Sequence, residues 1–262
     1  MLKGLQFLGN YTAQASYDNG SSQGSNEYIL GTNLNGVQNP NNTWAEYSHS
    51  AFDMPQMAQG TFVYQIPFGK GRLWSTGSGM LDTILGDWQT SGGYQWNSGQ
   101  LLAFPLGSGG QHTAPGYSSR PNLNAPLKKN PGTQGVMVNG AIRGTGYFQN
   151  NNAISQPADF QDGNAPRVLP SVTAPGTKNF NLAVDKSFAI KYRKDMTLKF
   201  RWETYNLFNH VQYSAPNMSP SYQVVGGIAT TAFPTSPAHT FGTITSQANS
   251  PLIQQVSLRL DF

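Results

Sequence analysis

Thr197-Leu198-Lys199-Phe200-Arg201-Trp202-Glu203-Thr204-Tyr205 alternates without a break. Met196, Leu198, Phe200 and Trp202 take the even positions, and Thr197, Lys199, Arg201 and Glu203 the odd ones. Side chains along a β-strand point to opposite faces in turn, so this stretch reads as a strand with one apolar and one charged face. A helical period of 3.6 would scatter both kinds around the axis. The chain ends on the same pattern, with Val256, Leu258, Leu260 and Phe262 against Gln255, Ser257, Arg259 and Asp261.

Working outward, the alternation returns four more times. Leu5, Phe7, Tyr11, Ala13, Ala15 and Tyr17 oppose Gln6, Asn10, Thr12, Gln14 and Ser16. Phe62, Tyr64 and Ile66 oppose Thr61 and Gln65, and Trp88, Tyr94 and Trp96 oppose Gln89, Ser91, Gln95 and Asn97. Phe180, Leu182, Val184, Phe188 and Ile190 oppose Asn181, Asp185 and Ser187. Six strands are therefore expected, near 5–17, 58–67, 87–97, 179–190, 196–208 and 253–262. Each is close to the roughly 9–11 residues that cross a bilayer when tilted. Lys186 falls on the apolar parity, where it is expected to snorkel past a strand end toward water.

Composition narrows the class. Only 11% of the 262 residues are charged, against roughly 25% in soluble domains. Hydrophobic residues reach just 37%, and the 29 glycines and 17 prolines favour turns and strands over long helices. Cysteine is absent, which excludes disulfides and thiolate metal sites. A net charge of +4, spread along the chain, gives no footprint for nucleic acid. No apolar run approaches the roughly 20 residues of a membrane helix. Met1-Leu2-Lys3 opens directly into Gly4-Leu5-Gln6-Phe7-Leu8 without a secretory signal, so an export signal is expected upstream.

Three features favour a transmembrane β-barrel over a water-soluble sandwich. Charges keep to the polar parity, as a wet lumen requires. Aromatics (Tyr17, Phe68, Trp88, Phe180, Phe188) gather near strand ends, as interfacial girdles do. The connections alternate: 67–85 and 191–195 are short, whereas 18–57, 98–178 and 209–252 are long and rich in Gly, Asn, Pro and Ser. Short periplasmic turns and long external loops are the outer-membrane pattern. The expectation is an all-β, open set of six antiparallel strands, its long loops unpatterned apart from small hairpins.

Four segments carry a resemblance. They are Phe62-Val63-Tyr64-Gln65-Ile66-Pro67-Phe68-Gly69-Lys70-Gly71-Arg72; Gly86-Asp87-Trp88-Gln89-Thr90-Ser91-Gly92 with Asn97-Ser98-Gly99-Gln100; Lys199-Phe200-Arg201-Trp202-Glu203-Thr204-Tyr205-Asn206-Leu207-Phe208-Asn209-His210; and Phe241-Gly242-Thr243-Ile244-Thr245 with the strand ending at Phe262. In this order they resemble the barrel ends of TonB-dependent outer-membrane transporters, above all the Oar-like type with a carboxypeptidase-regulatory-like N-terminal domain. The resemblance implies a 22-stranded parent barrel with a plugged lumen, of which residues 1–262 are the last six strands. It implies that the plug and earlier strands lie outside this sequence, that TonB is met only through that missing part, and that these residues alone are inactive in nutrient uptake. It also implies that Val256, Leu258, Leu260 and Phe262 form the aromatic-ended signature read by the barrel-assembly machinery. Lipid of the outer membrane is the other expected partner. The alternatives are a passive porin-like channel, a surface adhesin barrel, and a soluble carbohydrate-binding sandwich.

No enzyme and no cofactor are expected. Gly20-Ser21-Ser22-Gln23-Gly24 matches a hydrolase nucleophile elbow but lacks the strand before and helix after it. Gly69-Lys70-Gly71 lacks phosphate-loop spacing and reads as a tight turn. His49, His112, His210 and His239 are far apart, and the His49/Asp53 spacing has no helix to exploit it. Asp159, Asp162 and Asn164 read as an exposed turn rather than a Ca²⁺ loop. Lys199, Arg201, Glu203, Arg259 and Asp261 are expected to form a charge ladder on the lumen face of two neighbouring strands.

Overall fold

The computed structural model describes residues 4–21, 37–39, 41–69, 72–75, 77–105, 119–130, 136–138, 141–143, 146–149, 153–190, 196–220, 222–225, 228–231, 241–244 and 246–262. Six long strands, β1 (Leu5–Ala13), β2 (Gln56–Gln65), β3 (Trp88–Asn97), β4 (Lys178–Ala189), β5 (Thr197–Tyr205) and β6 (Ile253–Asp261), form one antiparallel meander in chain order. The sheet is open, with β1 and β6 at its two edges. All six expected strands are present, each within a few residues of its expected bounds.

The register carries the sequence alternation across the whole sheet. Leu5, Tyr64, Thr90, Val184, Trp202 and Val256 stand opposite one another in sequence of strands, and residues directly opposite share a face. The neighbouring row is polar: Gln65, Gln89, Asp185, Arg201 and Ser257. Trp202 and Arg201 therefore lie on opposite faces, as expected. One glycine in β3, Gly92, is explained by a neighbour. A Cβ on Gly92 would come within 2.6 Å of the Phe62 ring and 2.9 Å of the Asn181 carbonyl oxygen. The missing side chain leaves room for the aromatic ring lying across the strand.

Strand ends fall where the backbone loses its ladder. β1 stops at Ala13 rather than at 17, because Pro55 stands opposite Gln14 and has no N–H to donate; Gln14 N–H still reaches its carbonyl at 3.1 Å. Tyr17–Asp18 then pair with Ser48–His49 as a separate ribbon. β5 stops at Tyr205 rather than 208 because Asn206 turns into the left-handed region, φ 55°. Its side chain holds the turn by donating to the carbonyls of His210 and Ser250, both at 3.1 Å. The short connection after β2 holds a seven-residue helix, α1 (Gly79–Leu85), not foreseen in the sequence. The expected short turn 191–195 lies outside the described residues.

The sheet has almost no core of its own. Among the described residues, Ala183 is the one buried apolar residue in the six strands. The rest sit in the long connections, which the meander puts at one end of the sheet. Leu102, Phe104, Phe148, Ile154, Leu169, Phe241 and Ile244, with seven others, make a cluster drawn from the third and fifth connections. The Phe148 ring stacks on Phe241 at 5.3 Å and meets Tyr147 edge-on at 5.2 Å. Ala51, Leu101 and Val168 join the first connection to the third. Hairpins at 136–143 and 222–231 add local structure. The described parts of the long loops thus form a folded cap with a hydrophobic centre, where the sequence shows no period.

Candidate functional site: a charged sheet face beneath a loop cap

The last three strands bring the expected charges onto one face. Lys199 stands directly opposite Arg259 and Arg201 opposite Ser257, so the ladder is not a set of facing opposite charges. Asp261 relieves the like-charge pair from one end, meeting Lys199 Nζ at 2.7 Å and Arg259 Nε at 2.6 Å. Arg201 lies between Glu203 at 2.7 Å and Asp185 at 3.1 Å. Asp185 was on the expected polar parity of β4 but outside the expected ladder; the β4–β5 register puts it opposite Arg201. With 47% of the Arg201 side chain exposed, each pair contributes at most about 1 kcal/mol. The pairs hold side chains in place more than they hold the sheet together.

Beside these charges lies an open groove of about 390 Å³, with Thr61, Ser91, Gly93, Asn181, Arg201 and Glu203 in its wall. Gly93, with no atom nearer than 3.8 Å to where a Cβ would sit, leaves its centre bare. The wall offers hydroxyl, amide, carboxylate and guanidinium groups at close spacing. Val63, Ala183 and Tyr205 also line the wall, so polar groups and apolar surface alternate along the groove.

The opposite face is apolar and uncovered. Val256, Leu258, Leu260 and Phe262 are 62%, 67%, 46% and 92% exposed. Lys186 corrects an expectation here. It does not reach toward water: it is 2% exposed, and its Nζ donates to the carbonyl oxygens of Thr83, Ile84 and Gly86 at 2.8, 2.7 and 2.6 Å. These are the unpaired carbonyls at the C-terminus of α1, where the helix dipole favours a cation. The ammonium also lies over the rings of Trp88 (5.0 Å) and Phe188 (4.7 Å).

The cap is organised by buried charge that sequence spacing gave no sign of. Arg167, 4% exposed, reaches the Asp18 carboxylate at 2.6 Å and donates to Asp18 O, Ser21 Oγ and Glu46 O. Arg120 and Glu46, 2% and 1% exposed, make an ion contact of 2.7 Å. Gln38 accepts from the backbone N–H of Arg120 and Gly163 and takes Glu46 Oε1 on its own N–H. Partial burial alone would raise the Asp18 pKa, but hydrogen bonds from Ser21, Ser50 and the Ser21 and Gly20 N–H groups outweigh it and lower it well below the ordinary value. Tyr147, buried in the cluster with its hydroxyl on Thr173 O, is pushed up to about 12 by burial. Partners here are up to 149 residues apart, so the only legible sign would have been charges placed in otherwise uncharged loops.

His49 Nδ1 and Asp53 Oδ2 are 2.7 Å apart in the loop ribbon, a pair bound to each other. Among the described residues no three His, Asp or Glu side chains are grouped to hold a metal ion. Asn164 spends its Oδ1 on the Leu123 N–H, and Asp159 and Asp162 sit in an exposed turn. Gly69 (φ 111°) donates its N–H to Trp74 O at 2.9 Å, while Lys70 and Gly71 of the expected turn lie outside the described residues. His112, His239 and Ser22 to Gly24 lie outside the described residues.

A family model described as an outer membrane beta barrel domain matches residues 1–259. No curated protein and no solved structure matches the chain significantly.

Proposed function

The chain belongs to the outer membrane beta barrel domain family, and on that premise we propose that it is the C-terminal barrel portion of a TonB-dependent outer-membrane transporter of the Oar-like type, a nutrient importer and not an enzyme. One observation carries the reading: six strands, each long enough to span a bilayer, form a sheet with one predominantly apolar face, one polar face that is charged over its last three strands, and two unpaired edges. In lipid each free edge leaves a row of N–H and C=O groups unsatisfied, so the sheet needs further strands to close. Six are too few to enclose a transporter lumen. The ordered motifs of β2, β3, β5 and β6 supply the resemblance to the transporter group.

In this reading the apolar face meets outer-membrane lipid. The Lys199, Arg201, Glu203, Arg259, Asp261 and Asp185 face lines the lumen, wet and weakly attractive to polar solutes. The cap is external and the short connections are periplasmic. Val256, Leu258, Leu260 and Phe262 present the terminal signature to the barrel-assembly machinery. Plug and TonB contact belong to upstream sequence. The test is single-channel recording of the full-length gene product in planar bilayers. A plugged transporter passes no steady current; a stable open conductance of the intact protein would establish the porin-like alternative instead.

A further inference from the structure

We propose that the connection between β2 and β3 is a membrane foot: α1 lies flat in the headgroup–acyl boundary of the phospholipid leaflet on the short-turn side, held against the barrel wall by Lys186. The inference rests on the apolar sheet face being the lipid-facing one.

The short connection is built inside out for a water-exposed turn. Leu73, Trp74, Met80, Leu81, Ile84 and Leu85 are 77%, 50%, 77%, 48%, 54% and 44% exposed. Several of its polar groups are bonded within the protein instead. Asp82, the only charged residue of α1, is buried and accepts a hydrogen bond from Ser75 Oγ at 2.7 Å. Thr83 Oγ1 folds back onto the Gly79 carbonyl at 2.7 Å. The free carbonyls at the helix C-terminus are taken by Lys186, and Ile84 O accepts a second bond from Trp88 Nε1 at 3.0 Å. The Thr83, Ile84 and Gly86 carbonyls, which at a helix C-terminus would ordinarily need water, are therefore satisfied by protein, which lets that end of the helix sit at an apolar boundary.

The attachment fixes the side of the sheet. Lys186 and Trp88 are directly opposite each other across β4 and β3, and Lys186 is likewise opposite Phe200 on β5. All three belong to the apolar face. A helix whose C-terminus is bonded to two of them lies outside the barrel wall, continuous with the lipid-facing surface. Among the described residues of the connection, the other charges, Arg72 and Asp87, are exposed and 3.5 Å apart, a polar rim next to the apolar patch. Apolar surface, internally satisfied polar groups and a charged rim are the composition of an interfacial segment. Such a large exposed apolar patch on a water-facing turn would otherwise promote association.

Residues 1–262 contain no cysteine, so single labels are placed without background once any cysteine elsewhere in the full-length protein is replaced by serine. Leu81→Cys, Ile84→Cys, Leu258→Cys and Phe160→Cys are made in the full-length protein, spin-labelled and reconstituted in phosphatidylethanolamine/phosphatidylglycerol vesicles. Collision with oxygen, which concentrates in lipid, is compared with collision with a neutral nickel chelate, which stays in water. Labels at 81, 84 and 258 are expected to favour oxygen and the label at 160 the chelate. A lipid-exposed 258 with aqueous 81 and 84 overturns the foot and leaves the membrane reading intact; an aqueous 258 overturns both. Lys186→Met in the Ile84→Cys background is expected to add a mobile spectral component at 84 but none at 258. An unchanged spectrum at 84 would refute the holding role of Lys186.

Discussion

Replacing Arg167 with Met leaves a side chain of similar reach and removes four contacts at once. The guanidinium reaches Asp18 Oδ1 (2.6 Å), Asp18 O (2.7 Å), Ser21 Oγ (3.1 Å) and Glu46 O (3.2 Å). Removing one partner of a buried pair costs about 3–5 kcal/mol. Asp18 keeps 29% of its side chain in water and still accepts from Ser21 and Gly20, which places the loss at the low end, about 3 kcal/mol. At roughly 1.4 kcal/mol per tenfold, cap opening becomes about a hundredfold more frequent. Hydrogen exchange by mass spectrometry on the membrane-embedded protein reads this directly. Segments 37–53 and 119–130 are expected to exchange faster, while β4 and β5 hold their protection. Arg167→Lys is expected to rescue little, since one ammonium cannot replace a planar fork bonding four acceptors. Unchanged exchange in the cap would refute the pinning role of Arg167. Equal loss in cap and strands would refute the separation of cap from sheet.

The lowered Asp18 pKa predicts that the cap loosens in acid. A depressed folded-state pKa contributes stability that is present above the unfolded value, roughly 3.9, and lost as pH falls below it. Limited proteolysis of the cap is expected to accelerate at pH 3 relative to pH 7, less so in Asp18→Asn. Phe148→Ala empties the centre of the cap cluster and is expected to cost about 3–5 kcal/mol of cap stability, read as lost protection at Phe241 to Ile244. Leu258→Arg, near the middle of β6, is expected to destabilise urea unfolding in vesicles by about 2–4 kcal/mol, while Ser257→Arg on the polar face is tolerated. Reversed outcomes would mean the faces are swapped. Deleting Phe262 is expected to reduce heat-modifiable, folded protein in the outer membrane without lowering synthesis, as gel mobility shifts would show.

The strands were legible because a sheet with different solvents on its two faces writes its register into single residues. Trp202 next to Arg201 and Leu260 next to Asp261 leave no other period. The cap was illegible for the opposite reason. Leu102, Phe148 and Phe241 come from loops more than 40 residues apart and meet in a cluster with no periodic spacing. Glu46 and Arg167 look like solvated loop charges until the fold buries them. The ladder was half legible: parity gave the face, but only the pairing of β4 with β5 added Asp185, and only the β5–β6 register exposed the Lys199/Arg259 clash that Asp261 relieves. Lys186 was seen as an exception and its direction was missed, because α1 had not been foreseen.

The Lys186 contact bears on assembly fidelity. A barrel strand that slips by two residues keeps every side chain on its proper face, so polarity alone does not reject the error. In β3, with Thr90, Ser91, Gly92 and Gly93 at its centre, the shifted ladder against β4 would cost little. Lys186 breaks this degeneracy. Two residues of slippage carry its ammonium about 7 Å along the strand, away from the Thr83, Ile84 and Gly86 carbonyls, and strand it unpaired against lipid. The same slip against β5 separates Asp185 from Arg201. One lysine in an apolar row thus works as a registration mark, correct at a single alignment of β4.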